Sequence, residues 1–144
     1  MPDYSGSASD TIAAPIEAVW AALLDYDRIP EWQGAVKEAR VEERDEEGRG
    51  LVVAYTVDVR VATVHYTLRH RYEEPTAIRS TYVEGDFRDC RGEWTFAGRG
   101  DGTTDACFAL EIDPGRAIPG PVRRMMSQRV MKGSLADLKR KFGG

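Results

Sequence analysis

Apolar residues first recur at a helical spacing. Ile16, Val19, Trp20, Leu23 and Leu24 fall at i, i+3, i+4, i+7 and i+8, the stripe of an amphipathic helix with one buried face. Pro15 precedes the stripe, where a helix's first turn tolerates a residue without an N–H. Asp25, Asp27 and Pro30 end it, and "RIPEW" has room for only one further helical turn. Upstream, "SASDTIA" reads as a short strand with Ile12 at its end, and residues 1–6 are expected to be loose.

After Gly34 the period changes to two. "VKEARVEER" predicts a charged strand ending at the "DEEGRG" turn. "LVVAYTVDVRVATVHYTLRHRY" alternates for too long to be one strand, so it must fold back. The expected tip is 60–63, although no Gly or Pro marks it. Further turns at "EEPT", "EGDFRD" and "GRGDGT" separate strands over 76–84, 88–97 and 103–112. Three prolines in "DPGRAIPGP" break the sheet, and a helix is expected over 122–142. The order is strand, helix, short helix, six strands, helix. That order predicts an α+β domain spanning residues 1–144, with an antiparallel sheet of about seven strands curled around the C-terminal helix.

The turns propose a register. A tip at 60–63 pairs Val53 with His70, Tyr55 with Leu68 and Val57 with Tyr66. The "EEPT" turn pairs His70 with Ser80, Leu68 with Tyr82 and Tyr66 with Glu84. The last hairpin pairs Trp94 with Ala106 and Phe96 with Thr104. One face then carries Tyr55, Tyr66, Leu68, His70, Tyr72, Ser80, Tyr82, Cys90, Trp94, Phe96, Phe108, Leu110 and Ile112. The other carries His65, Arg69, Arg71 and Arg79, and Cys107 among charged neighbours. So many polar-tipped rings on a buried face predict a partly wet cavity, with the competing reading that each ring is packed and each hydroxyl reaches the rim. Along the C-terminal helix, Met131, Leu135, Leu138 and Phe142 form an anchoring cluster, and the softer end with Met126 and Val130 is a candidate cavity lid.

Composition narrows the classes. With 42% hydrophobic and 31% charged residues the chain has the balance of an ordinary soluble globular domain. No apolar run is long enough to cross a membrane. "MPDYSGSASD" lacks the basic start and apolar core of a secretory signal, so a cytoplasmic location is expected. The net charge of −4 argues against nucleic acid as the main partner. From Arg116 onward eight basic residues face Asp137 alone, which makes that end +7 and the remainder −11. A solvated helix face and contact with an anionic partner or membrane surface both account for this. Two cysteines cannot build a disulfide framework, and Cys90 and Cys107 are expected to be free thiols. No His/Cys spacing suggests zinc, and no metal or cofactor is implied.

"IAAPIEAVWAALLDYDRIPEWQGAVKEARV" and "GEWTFAGRGDGTTDACFALEI" resemble the START and birch-pollen-allergen helix-grip superfamily, nearest its polyketide cyclase/dehydrase and coenzyme-Q-binding branch. The carrying features are "I-x-A-P" before a helix with "VW", then "P-E-W", and later a strand–turn–strand with Trp and "G-T"; the resemblance spans residues 7–142. It implies a curved sheet gripping a C-terminal helix over a hydrophobic cavity, with Trp32 turned toward that cavity. A fold of this kind hosts many functions.

The expected function is binding, or transport, of a hydrophobic or aromatic molecule such as a lipid, isoprenoid or polyketide. Its candidate lining is Trp32, Tyr55, Tyr66, Leu68, His70, Ser80, Tyr82, Trp94, Phe108, Met126 and Val130. One alternative is a cyclase/dehydrase in which His70 takes a proton beside Ser80, Tyr66 or Tyr82 polarises a carbonyl and Glu84 is a second acid. No carboxylate is placed to orient His70, so a triad is not expected. Another alternative is a protein-binding module without a ligand. Val59, Val61 and Val64 make the hairpin tip unusually apolar, which suits a packed or dimer-buried tip, or a flap making transient membrane or carrier contact. A monomer and a homodimer are both compatible with the sequence.

Overall fold

The computed structural model describes residues 4–58, 62–113, 115, 120–121 and 132–143. Seven antiparallel strands form one curved sheet in the order β1-β7-β6-β5-β4-β3-β2. They are β1 (Tyr4–Ile12), β2 (Val36–Arg44), β3 (Gly50–Asp58), β4 (Thr63–Glu73), β5 (Ala77–Gly85), β6 (Asp89–Gly98) and β7 (Thr104–Asp113). From β2 to β7 each strand pairs with its successor. β1 closes onto β7, with Tyr4 opposite Ile112. Residues 4–6 therefore belong to β1, because Ile112, Glu111 and Leu110 offer them backbone partners. The sheet edges are β1 and the charged β2.

Between the edges the chain crosses the inner face of the sheet as α1 (Ile16–Leu24), a 3-10 turn (Tyr26–Arg28) and the single-turn α2 (Ile29–Trp32). α1 has the predicted stripe, with Val19, Trp20 and Leu23 buried. Pro30 lies in the first turn of α2, so it opens that helix. Trp20 meets Tyr72 and Phe96 edge-on, at ring separations of 6.0 and 6.2 Å. Its Nε1–H is buried without a hydrogen-bond partner among the described residues. A C-terminal helix, α3 (Gly133–Lys141), buries Leu135 and Leu138, three residues apart on one face. Phe142 packs beside the same core. The rest of the helix predicted over 122–142, including Met126, Val130 and Met131, lies outside the described residues.

The predicted strands over 76–84, 88–97 and 103–112 each lie one residue later in the structure, and β2 covers the predicted stretch. Two hairpin registers are corrected by two residues. Val53 faces Leu68, Tyr55 faces Tyr66 and Val57 faces Val64. Trp94 faces Phe108, and Phe96 faces Ala106. A two-residue slip preserves which face a side chain occupies, so the inward set survives. Val64 consequently sits buried within β4 and is not part of an apolar tip. Residues 59–61 lie outside the described set.

The β4–β5 pairing matches the expectation for His70 with Ser80 and Leu68 with Tyr82, then breaks at a bulge beside Thr67. Gly85, not Glu84, faces Tyr66, and Glu84 is exposed opposite Thr67. The bulge depends on Gly85. Its φ is +139°, and a Cβ there would lie 2.5 Å from the His65 carbonyl oxygen. This removes Glu84 as a second acid on the inner face.

Candidate functional site

The inner face of the sheet and the α1–α2 segment enclose a cavity of about 100 Å³. β3 and β4 contribute Tyr55, Tyr66, Leu68 and His70 to its wall, and β5 contributes Ser80. Trp94, Phe108 and Gly92 form the wall from β6 and β7. Leu23, Tyr26, Ile29 and Gln33 cover it from the helical segment, and Ser134 reaches it from α3. Trp94 stacks on Phe108 at 4.5 Å and on Phe96 at 5.9 Å. Tyr66 stacks between Tyr55 (5.4 Å) and Phe87 (5.0 Å). Stacked aromatic rings thus share the wall with aliphatic side chains such as Val36, Val57, Ile78 and Leu110.

His70 is the centre of the polar part and is only 4% exposed. Its Nδ1 lies 2.7 Å from the Ser80 hydroxyl and its Nε2 lies 2.6 Å from the Tyr55 hydroxyl. Both nitrogens are satisfied by neutral hydroxyls, and burial lowers the imidazole pKa to about 4. His70 is therefore neutral at physiological pH. Tyr26 lies flat over it, with centroids 5.4 Å apart and planes at 14°. The Tyr72 hydroxyl donates to the Gly50 carbonyl at 2.6 Å. Its single proton is used there, so the Tyr26 hydroxyl donates to the Tyr72 oxygen at 2.7 Å.

Burial holds the other titratable groups neutral as well. It raises Tyr26, Tyr55 and Tyr66 above the ordinary phenol range. It pushes Tyr72 and the Cys90 thiol up to about 12. No Asp, Glu, Lys or Arg lines the cavity among the described residues. Nor do the described residues contain a cluster of three His, Cys, Asp or Glu side chains suited to a metal ion. Both cysteines are free, Cys90 buried on the wall and Cys107 half-buried.

Seven of the expected lining residues meet at this cavity: Tyr55, Tyr66, Leu68, His70, Ser80, Trp94 and Phe108. Met126 and Val130 lie outside the described residues. Trp32 is placed elsewhere. Successive residues of a helix turn by about 100°, so with Ile29 and Gln33 aimed at the cavity, Trp32 faces α3. The Lys141 ammonium sits 5.8 Å from its ring centre. Tyr82 is also displaced from the wall, because Phe87 fills the space beside it. Tyr82's hydroxyl donates to the Phe87 carbonyl at 2.8 Å and accepts the Phe87 N–H at 3.2 Å.

Sequence reasoning passed over Tyr26, Gln33, Phe87 and Gly92. Tyr26 was within reach of it, since Val19, Leu23 and Tyr26 continue the α1 stripe at i+4 and then i+3. Phe87 carries a weaker signal, a lone large apolar residue in the "EGDFRD" turn.

The sequence profile of the family described as "Polyketide cyclase / dehydrase and lipid transport" matches residues 12–139. The chain belongs to this family. A search of curated proteins finds no match to the sequence. Among solved structures, a START superfamily protein from Mycobacterium smegmatis is similar, with a TM-score of 0.85, 17% identity and 96% of each chain covered. The Zhui aromatase/cyclase from Streptomyces sp. R1128 has a TM-score of 0.79 at 19% identity, covering 96% of this chain and 92% of its own. A protein from Thermus thermophilus has a TM-score of 0.81 at 20% identity, covering 96% and 97%. At these identities the likeness establishes the fold, which is the helix-grip architecture of family members. No helix among the described residues is long and apolar enough to cross a membrane.

Proposed function

We propose that this family member binds a neutral hydrophobic or aromatic small molecule in the cavity between its sheet and its helices. The supporting observation is the wall itself: stacked aromatic rings with one charge-free, hydrogen-bonded polar cluster, the composition of a preformed small-molecule site. A volume of about 100 Å³ suits a single-ring molecule. A lipid-sized or polyketide-sized ligand exceeds this volume and would extend through the cavity's open side or displace its wall.

A cyclase/dehydrase activity is the second reading. It is favoured by the family match and by His70 standing between two hydroxyls. Against it stands the chemistry of the imidazole. With a pKa of about 4 it is a weak general base at neutral pH. Binding makes no such demand. Membrane or carrier contact would use residues 59–61 and the basic segment after Arg116, most of which lie outside the described residues.

Native mass spectrometry of the purified protein, followed by thermal shifts with single-ring aromatics, tests the binding reading. A bound molecule saturating the site at a hundred times its Kd raises stability by about 2.7 kcal/mol. A co-purified hydrophobic compound or a saturable Tm rise supports binding. An empty protein with no shift from any probe overturns it.

A further inference from the structure

Neutral imidazole carries one N–H donor and one bare nitrogen acceptor. His70 meets a hydroxyl at each nitrogen, so only two arrangements satisfy both hydrogen bonds. In the first, Nδ1–H donates to the Ser80 oxygen and the Tyr55 hydroxyl donates to Nε2. The Tyr55 proton is then used, so the Tyr55 oxygen can only accept from a ligand, while the Ser80 proton is free to donate to one. In the second, Nε2–H donates to the Tyr55 oxygen and the Ser80 hydroxyl donates to Nδ1. The roles at the two ends are reversed. Both end residues line the cavity. Each arrangement therefore presents one donor and one acceptor to whatever occupies it, and neither presents a charge.

The rest of the wall agrees with a ligand that has polar points. Tyr66 and Gln33 are 9% and 8% exposed, both face the cavity, and neither side chain has a hydrogen-bond partner among the described residues. Their polar atoms open onto the cavity, since the fully buried side-chain polar atom left without a partner among the described residues is Trp20 Nε1, so water or a ligand can pair with them there. A purely hydrocarbon occupant would leave them unpaired. A carboxylate occupant would bring a charge into a wall that, among the described residues, has no cation to meet it.

We propose that Tyr55, His70 and Ser80 form a reversible two-state reader, which selects a neutral single-ring ligand carrying a hydroxyl donor and a carbonyl acceptor on well-separated positions. The proposal rests on the binding reading above and names its ligand class. The two end oxygens bond to opposite nitrogens of one imidazole, so a bridging ligand spans them across its ring and not from adjacent atoms. Switching moves four protons in one direction: the ligand hydroxyl proton passes to Tyr55 as the Tyr55 proton passes to Nε2. The Nδ1 proton returns to Ser80 as the Ser80 proton passes to the ligand carbonyl oxygen. A ligand able to shift its own double bonds in step ends as its tautomer, and no group becomes charged.

The test is calorimetric titration at pH 6 with toluene, phenol, benzaldehyde, 4-hydroxybenzaldehyde and 4-hydroxybenzoate, on the natural protein and on Tyr55→Phe and Ser80→Ala. The expected result is that 4-hydroxybenzaldehyde binds three- to tenfold more tightly than phenol or benzaldehyde, toluene binds more weakly than either, and 4-hydroxybenzoate does not bind. In each variant the extra affinity of 4-hydroxybenzaldehyde disappears. Phenol and benzaldehyde keep their lead over toluene, because His70 re-tautomerises to serve the surviving hydroxyl. Toluene binding as tightly as 4-hydroxybenzaldehyde overturns the reader but leaves the cavity reading intact. So does a split result, with benzaldehyde losing its lead in one variant and phenol in the other, since that marks a chain frozen in one tautomer. If no probe binds, toluene included, the cavity reading falls as well.

Discussion

The Tyr26 ring lies parallel to the His70 imidazole, 5.4 Å away and within 14° of coplanar. Tyr26 belongs to the 3-10 turn that interrupts the helical segment, whereas His70 comes from the middle of β4. The break between α1 and α2 thus has a structural result. It sets one aromatic ring flat on the polar centre of the cavity and anchors that ring's hydroxyl to Tyr72, and through it to Gly50. Tyr26→Phe keeps the stack and removes one hydrogen bond. A loss of about 1 kcal/mol is expected in chemical denaturation. Tyr26→Ala removes the ring, and roughly 3–5 kcal/mol is expected. Near-equal losses would show that the ring contributes nothing beyond its hydroxyl.

His70 makes stability depend on pH in a defined window. Below about pH 6.5 the imidazole of the unfolded chain takes up a proton that the folded one refuses until about pH 4. The unfolded state binds more protons across this range, so stability falls as pH falls from 6.5 to 4. Above 6.5 the contribution is complete. The integrated effect is on the order of 3 kcal/mol. Carboxylates titrate in the lower part of the same range, so the informative quantity is the difference between the natural protein and His70→Gln. That difference should shrink with acidification, and a difference independent of pH would mean that His70 is not held neutral.

Gly92 offers a clean way to reduce the cavity. A Cβ there would meet Phe108 Cε1 at 3.6 Å, Leu110 Cδ1 at 3.8 Å and the Ser80 Cβ at 3.9 Å, all ordinary contacts. Gly92→Ala should leave stability unchanged or raise it by roughly 0.5 kcal/mol, since glycine weakens a strand interior. Affinity for single-ring ligands should fall several-fold. Unchanged affinity measured by titration would place the ligand elsewhere.

Asp137 joins α3 to the exit of α2. Its Oδ2 accepts the Gly34 N–H at 2.9 Å, and its Oδ1 pairs with Arg140. Asp137→Ala should cost roughly 1–2 kcal/mol. It should also accelerate amide exchange at Gly34 relative to the β6–β7 hairpin. Uniform acceleration across the sheet would show that the effect is global and not confined to this junction.

The faces of the strands were legible because a period of two is insensitive to register errors of two. A marked turn did not by itself settle register, since the glycine-rich "GRGDGT" hairpin slipped by two residues. "EEPT" contains a proline, and His70 was matched to Ser80 correctly. The 60–63 tip has neither Gly nor Pro, and there the pairing slipped. The Tyr55–His70 hydrogen bond was out of reach for a different reason. The two residues are not cross-strand neighbours, and a long phenol spans the intervening pairs. Trp32 shows the limit of single-turn helices, where one step of rotation decides between a cavity and a surface groove. The bulge at Gly85 is a strained-backbone feature that composition alone does not announce.

Cys90 gives the protein a built-in clock for its own opening. Its thiol is buried on the cavity wall and held protonated, with its pKa pushed up to about 12, whereas Cys107 is half-buried on the other side of the sheet. A thiol reagent added to the intact protein therefore reads two rates at once. Labelling at Cys107 follows reagent supply, and labelling at Cys90 waits for the wall to part and admit a molecule of ligand size. The ratio of the two, followed with and without an occupant, measures how often the interior is open to its surroundings, with no probe engineered into the chain.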